Sequence, residues 1–565
     1  KLFDPNVYPF LEGGQPDWTA AVVSADDRAQ ATPPSIDDGT VYHVLHRLVV
    51  FAGQRLSYRA LDVEQIGSVY ESLMGYHVLR VGSPAVRIGK NGVWVETESV
   101  RDMSPTERAK FFKEICGLNP APAQNLEKAV KEAGKDEAAL AEALSDYCAG
   151  KKNEVLRHKV PTGRLVVQPG EERRRTGSHY TPRSLTEKVV RRTLEPLLAC
   201  IGEKRTAEQI LELKICDPAM GSGAFLVATC RELASEIVQA WTRSGELPAI
   251  LEEHGDAHLH ARRLVAQRCL YGVDKNPAAT ELAKLSLWLI TLSKKLPFTF
   301  VDHALRHGDS LVGFNFEQII AFHWQPQKQV ALGEVALRDA LEQAVELRQR
   351  ILVLADREDP ASQEEKRRLL DFSQQAIDRV RLVADVCVGA FFAEKNDKAR
   401  ELERVRRLGI VEAWLGGDES RRPELDELAE KVRKEVSPFH WWIEFPEVFF
   451  EERPDPLQGG AVNGAALMEG VVGNPPFLGG SSLARENGSN YTNWITSTLP
   501  GSDGRADLSA HFFLRAEQLI GEHGSIGLIA TNTIAQGDTR RSGLEQLIRR
   551  SSVIYDATEA LPWPG

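Results

Sequence analysis

Cys216-Asp-Pro-Ala-Met-Gly-Ser-Gly-Ala-Phe225 is the stretch whose reading sets the architecture. Leu211-Glu-Leu-Lys-Ile-Cys216 before it reads as a buried strand, and Ala224 to Trp241 after it as a long helix. Between them Gly221 and Gly223 permit a tight turn that brings bare backbone against a ligand, and the helix start offers unpaired N–H groups. That geometry serves many nucleotides. No Lys-Ser/Thr pair follows, which disfavours an NTPase phosphate loop, and Phe225 and Leu226 stand where a dinucleotide motif would soon need a third glycine.

The same rhythm continues outward. Leu270-Tyr-Gly-Val-Asp274 reads as a second strand followed by a helix from Ala278 to Leu292. Gly470-Val-Val-Gly473, Ser525 to Ala530 and Ser552 to Tyr555 read as further strands, with helices at Leu508 to Ile520 and Gly543 to Arg550. Short strands alternating with helices indicate an α/β fold around a doubly wound, mostly parallel sheet. Asp274 ends its strand where a carboxylate commonly accepts from a ribose diol. Asp309, in His307-Gly-Asp-Ser-Leu311, follows a third strand and is placed to accept from an adenine amino group. Singly, each aspartate fits turn formation as well as a ligand role. In order at successive strand ends, they favour the ligand, and one nucleoside rather than two.

Four segments are expected around this core. Residues 1–165 read as a mainly helical front domain, with helical spacing at Val41 to Gly53 and Leu61 to Tyr76 and a short β-like patch at 85–88 and 92–97. Residues 166–317 form the cofactor-binding part, 318–435 a charged helical insertion, and 436–565 the catalytic part. Within that insertion Glu334 to Val386 and Glu424 to Val436 carry the helical pattern.

Gly473-Asn-Pro-Pro-Phe477 follows the strand at Val471-Val472. Asn-Pro and Pro-Pro are common loop punctuation, but a strand end downstream of a nucleoside loop makes a catalytic reading the better one. The exocyclic amine of adenine is a poor nucleophile because its lone pair is delocalised into the ring. Two acceptors aimed at its two N–H bonds draw it toward tetrahedral geometry. The Asn474 side-chain oxygen supplies one and the Pro475 carbonyl the other, with Pro475 and Pro476 stiffening the backbone. Phe477 offers a flat face for the base. No metal, general acid or nucleophilic side chain is needed.

Bulk properties bound the class. The chain has 565 residues, 42% hydrophobic and 26% charged, which exceeds one ordinary core. Its seven cysteines form no CxxC pair, so a metal or disulfide framework is not expected and a reducing cytoplasm is the natural compartment. No apolar run reaches the length of a membrane span. The net charge of −11 argues against a generally basic surface, although phosphate contacts need only a local stripe. Lys1 at the start and Leu561-Pro-Trp-Pro-Gly565 at the end read as the limits of a fragment.

The motif order resembles the gamma class of N6-adenine DNA methyltransferases. Thr176-Gly-Ser-His-Tyr-Thr-Pro182 is similar to that family's segment at the methionine end of the cofactor, with Tyr180, Thr181 and Pro182 as the matching positions. The resemblance implies a Rossmann-like class I methyltransferase fold using S-adenosylmethionine. The cofactor residues it implies are Thr176, Tyr180, Thr181, Pro182, Asp217, Pro218, Ala219, Gly221, Gly223, Phe225, Asp274, Lys275, Asp309 and Ser310, together with Asn474. Phe3-Asp-Pro, Pro9 to Gly13, Ile66 to Glu71 and Phe439-His-Trp-Trp-Ile-Glu-Phe-Pro-Glu-Val-Phe449 look like large type II restriction–modification adenine methylases and the adenine methylases of the BREX and DISARM phage-defence systems. Ala506-Asp-Leu508, Asn532 and Ile534 to Thr539 resemble motifs lining the target-base pocket. The partners so implied are double-stranded DNA and other defence-system proteins, with no membrane. A target-recognition domain is expected to follow the catalytic part, and no nuclease arrangement is legible in residues 1–165.

Three rivals are kept. The same fold serves methylation of RNA bases and of protein glutamine, a degenerate methylase can act as a non-catalytic DNA-binding scaffold, and a nuclease–methylase fusion can be seen in part. The basic cluster Arg173-Arg-Arg175, with Arg183, Arg191 and Arg192, reads as a solvated face slightly better than as a phosphate track.

Overall fold

The computed structural model describes residues 76–89, 92–134, 136–147, 159–169, 181–245, 256–293, 295–326, 334–357, 359–450, 452–463 and 467–559, with scattered positions between 39 and 55. It divides into two compact units, Lys1–Asp62 and Val63–Gly565, a coarser division than the four expected segments. In the first unit Val50–Phe51 pairs antiparallel with Gln54–Arg55, so the helical spacing read over Val41 to Gly53 gives way to a β-ribbon at its end.

The second unit is built on five parallel strands: β1 (Ile215–Asp217), β2 (Leu270–Asp274), β3 (Leu305–His307), β4 (Met468–Gly473) and β5 (Ile520–Leu528). Their order is β3-β2-β1-β4-β5. Every residue of β1 and β4 is buried, as a parallel sheet covered on both faces requires. The winding reverses between β1 and β4, and in such sheets ligands bind in the crevice beyond the strand ends at that reversal. The register Gly470↔Ile215 and Val471↔Cys216 sets the two strand ends beside each other.

Helices cover the sheet. α1 (Arg183–Ile201) is seated on β5, where the Ser525 hydroxyl donates to the Thr193 carbonyl at 2.6 Å. α2 (Ala224–Ser244), α3 (Ala257–Arg268) and α4 (Pro277–Ile290) link β1 to β2 and β2 to β3. Their apolar faces share one core with the sheet, from Val190 and Leu197 through Leu226 and Ile237 to Leu287.

The helices of the insertion are α5 (Glu334–Val353), α6 (Pro360–Ala393), α7 (Asp397–Leu415) and α8 (Arg422–Val436). Leu337, Leu341, Val383, Val388 and Trp414 lie in one core with Trp494, Leu508 and Phe512, downstream of β4. The insertion is thus welded to the body it interrupts. The chain then returns through 437–449 and is stitched to the loop after β3. Asp309 N–H donates to the Ser437 carbonyl at 2.8 Å, and Phe439 N–H to the Val312 carbonyl at 2.7 Å.

Two expectations need correction. The described part of the front segment adds to its helices more strand than the short patch expected at 85–88 and 92–97. Tyr76–Arg80 pairs with Leu165–Pro169, and Ala85–Ile88 pairs with both Val93–Glu96 and Lys159–Val160. Helices Pro120–Ala133 and Glu137–Ser145 bury Leu126, Val130 and Leu140 against Val86, Ile88 and Val95 of that sheet. The strand read at Ser552 to Tyr555 does not form either. Val553 is 79% exposed, and Tyr555 is tied instead to α1 by a 3.1 Å hydrogen bond from its hydroxyl to the Arg192 carbonyl. The region Leu61 to Gly75 lies outside the described residues.

Candidate active site

The loop after β1 is built by its own backbone needs. Asp217 ends the strand and its Oδ1 accepts from Ala219 N–H at 3.0 Å, folding the chain back. Met220 N–H reaches the Val273 carbonyl at 3.0 Å, and Gly221 N–H donates to Asp274 Oδ2 at 2.9 Å, so the loop is pinned to the end of β2. Gly221 (φ +52°) and Gly223 (φ +82°) are both left-handed, which glycine adopts without strain. Gly223 also lets α2 approach α4, since a Cβ there would stand 3.1 Å from that of Ala283. The first turn of α2 has no side-chain cap and opens toward the loop.

Three carboxylates border this loop, each differently engaged. Asp274 accepts from Gly221 N–H and, at 2.8 Å, from Asn276 N–H. Burial raises its pKa while these two donors oppose the rise. Asp309 is buried. Its Oδ1 accepts from Leu311 N–H at 3.0 Å, its Oδ2 lies 2.9 Å from Lys275 Nζ, and the Tyr491 hydroxyl lies 3.1 and 2.9 Å from the two oxygens. Asp217 is the exception: its Oδ2 is buried with no hydrogen-bond partner. Burial pushes its pKa up to about 8, against the Ala219 donor and with a small further push from Asp274. Next to it, the Ser310 hydroxyl donates to the Pro218 carbonyl at 2.5 Å, and the Trp441 indole donates to the Ser310 carbonyl at 3.1 Å.

The Asn-Pro-Pro-Phe corner emerges beside that carboxyl. A Cβ on Gly473 would stand 2.8 Å from Asp217 Oδ1, so glycine is what lets β4 end against the loop. Asn474 follows, and its amide nitrogen donates to Thr181 Oγ1 at 3.0 Å. Pro475 is buried; Asn474, Pro476 and Phe477 are half-buried. The segments read as target-pocket motifs converge here. Leu508 N–H donates to the Leu478 carbonyl at 2.9 Å, and Asp507 N–H donates to the Thr539 hydroxyl at 3.1 Å.

Thr181, Asp217, Pro218, Ala219, Gly221, Asp274, Lys275, Asp309, Ser310 and Asn474 therefore form one contiguous set at the carboxyl ends of the strands. Pro182 caps the start of α1. Phe225 belongs elsewhere: it is 3% exposed and packs in the core beneath the loop. Thr176, Tyr180 and Arg173 to Arg175 lie outside the described residues. Arg183, Arg191 and Arg192 sit on α1 paired with Glu187, Glu232 and Glu195, a self-neutralised face. Tyr491 also belongs to this site, and nothing local in the sequence marks a tyrosine within Ser489–Thr498 as the partner of an aspartate 182 residues away. No helix among the described residues is long and apolar enough to cross a membrane.

A buried, unpartnered carboxyl oxygen beside a left-handed glycine turn, with two more acidic strand ends in line, suits a ligand bearing a cationic donor group and a purine nucleoside. S-adenosylmethionine has that chemistry, and these residues fit it.

A five-stranded parallel sheet of this order, with a glycine turn after β1 and an Asn-Pro-Pro-Phe corner after β4, defines a Rossmann-like methyltransferase fold. The family profile described as Eco57I restriction-modification methylase matches residues 268–556, just over half of the chain, and the chain belongs to that family. A second profile, the DNA-methyltransferase domain of MmeI, matches residues 202–308. Among curated proteins, a provisionally named type II restriction enzyme and methyltransferase of Methanocaldococcus jannaschii is 21% identical over 425 residues, covering 64% of this chain and 32% of its own. The type II restriction enzyme and methyltransferase RM.Eco57I of Escherichia coli is 26% identical over 161 residues, covering 26% of this chain and 16% of its own. The chain thus spans a third or less of each relative it matches.

Proposed function

We propose that this chain transfers a methyl group from S-adenosylmethionine to the N6 amino group of an adenine flipped out of duplex DNA, in restriction–modification or phage defence. The observation that carries this reading is that the strand leading into Asn474 ends, at Gly473, against Asp217 at the head of the glycine loop. When bound, the cofactor supplies an activated methyl group on a sulfonium. The remaining work falls to the chain. The Asn474 amide nitrogen donates to the Thr181 hydroxyl, and the oxygen at the other end of that amide accepts from the base. The Pro475 carbonyl accepts the second N–H. Phe477 gives the base a stacking face worth roughly 1–3 kcal/mol, comparable to the few kcal/mol needed to extrude it.

The test is transfer of labelled methyl to duplex DNA, single-stranded RNA and protein in parallel, with digestion of the product to nucleosides. N6-methyladenine from DNA alone, abolished by Asn474→Ala, is the expected result. Label in RNA or protein instead, or transfer that survives the substitution, overturns the reading.

A further inference from the structure

Helix α10 (Ser489–Thr498; α9 is Gly480–Asn487) lies downstream of the catalytic corner, yet two of its side chains grip the loop after β3. The Tyr491 hydroxyl bonds the Asp309 carboxylate at 2.9 and 3.1 Å, and one helical turn on, the Trp494 indole donates to the Leu311 carbonyl at 3.0 Å. Tyr491 is 3% exposed and Trp494 is fully buried, so neither side chain can swing aside without opening the core. Lys275 differs. Its side chain is 51% exposed, with its ammonium 2.9 Å from Asp309 Oδ2 and 4.8 Å from the Tyr491 ring centroid, and it can withdraw into solvent.

The arrangement has a chemical consequence. A carboxylate oxygen accepts, and the Tyr491 hydroxyl and Leu311 N–H are donors that engage the Asp309 oxygens and fix the plane of the group. The replaceable contact is the one with Lys275. A ligand group entering there must itself donate. We propose that Tyr491 is a positioning residue that makes this strand end selective for an amino-purine nucleoside over its 6-oxo counterpart, by fixing Asp309 as an acceptor for the exocyclic amine. The inference rests on the cofactor reading above and names the determinant of base selectivity within that site. Without the hydroxyl, the carboxylate can rotate and its selectivity falls, while the pocket keeps its shape.

Equilibrium binding of S-adenosylhomocysteine and of its deaminated analogue, S-inosylhomocysteine, to the full chain by calorimetry tests this. The wild-type chain is expected to prefer the amino nucleoside by on the order of tenfold or more, the worth of one hydrogen bond to a charged group. In Tyr491→Phe, binding of the amino nucleoside should weaken several-fold while the oxo analogue binds unchanged. Thermal melting and amide exchange at Leu311 report whether the loop remains intact. Equal loss for both nucleosides, or unchanged selectivity, overturns the inference alone. A wild-type chain that binds neither nucleoside overturns the cofactor reading with it.

Discussion

The Asn474 amide and the Thr181 hydroxyl meet at 3.0 Å across 293 residues of sequence. Thr181 sits just before α1, and Asn474 just after β4, so the bond ties the start of α1 to the Asn-Pro-Pro-Phe corner. Thr181→Val keeps the shape and removes the acceptor of this one hydrogen bond. We expect the single-turnover methylation rate to fall by about ten- to a hundredfold, corresponding to the 1–3 kcal/mol cost of an unmade buried hydrogen bond. Thr181→Ser, which keeps the hydroxyl, should restore most of it.

Asp217 gives a pH signature. Its pKa is raised from 3.8 to about 8 by burial, so between these values the folded chain holds a proton that the unfolded chain has lost. Stability therefore falls as pH rises through that window, by up to about 1.4 kcal/mol per pH unit from this group. Asp217→Asn cannot ionise and keeps an oxygen for Ala219 N–H. Chemical denaturation of both proteins from pH 4 to 8 should show the variant gaining on the wild type as pH rises. A constant difference across the range would contradict the assignment.

Legibility followed locality. The glycine loop, the acidic strand ends and the Asn-Pro-Pro-Phe corner were readable because each is set by short-range backbone chemistry at a strand terminus. The buried strands β1 and β4 announced themselves as compact apolar runs. Tyr76–Arg80 was not readable, because its pairing partner at Leu165–Pro169 is remote and its Val78 and Val167 face solvent, giving no periodic signal. Ser552 to Tyr555 misled for the opposite reason: a β-prone composition at exposed positions with no ladder to join. Phe225 was drawn into the site by its place in the motif, whereas the first turn of α2 aims it into the core. Tyr491 gains its meaning only from tertiary contact.

The two loop glycines separate two kinds of cost. At Gly221 a Cβ would meet nothing within 4 Å, so Gly221→Ala carries only the strain of a left-handed alanine at φ +52°, roughly 1–2 kcal/mol. At Gly223 the same strain at φ +82° is joined by contacts of 3.1 and 3.2 Å with Ala283, which sits on α4 and cannot yield without moving the helix. Overpacking adds about 1–3 kcal/mol. Gly223→Ala should melt well below Gly221→Ala. A double variant with Ala283→Gly removes the 3.1 Å contact with the Ala283 Cβ but keeps the 3.2 Å contact with its Cα, so it should recover only part of the packing cost and none of the strain.

Glu444 tests whether the returning segment supports the site from behind. Arg381 Nε lies 2.7 Å and Arg306 Nη2 2.8 Å from its two oxygens, and although burial opposes ionisation, Arg381 and then Arg306 hold its pKa well below the usual carboxylate range. Arg306 is in β3, three residues before Asp309, so the pair anchors that strand end to α6 and to the stretch that carries Trp441. Glu444→Gln leaves two guanidinium groups without their counter-charge and should cost about 3–5 kcal/mol at neutral pH. The folded-state pKa is depressed, so the wild-type advantage is complete above the ordinary carboxylate value of 4.5 and shrinks as pH falls below it. Denaturation midpoints of the two proteins should therefore converge in acid. At neutral pH, cofactor binding by the still-folded variant should weaken together with exchange protection at Leu311, because the loop that presents Asp309 has lost its footing. If binding stays at the wild-type level while stability drops, the ion cluster holds the insertion in place without steadying the nucleoside site.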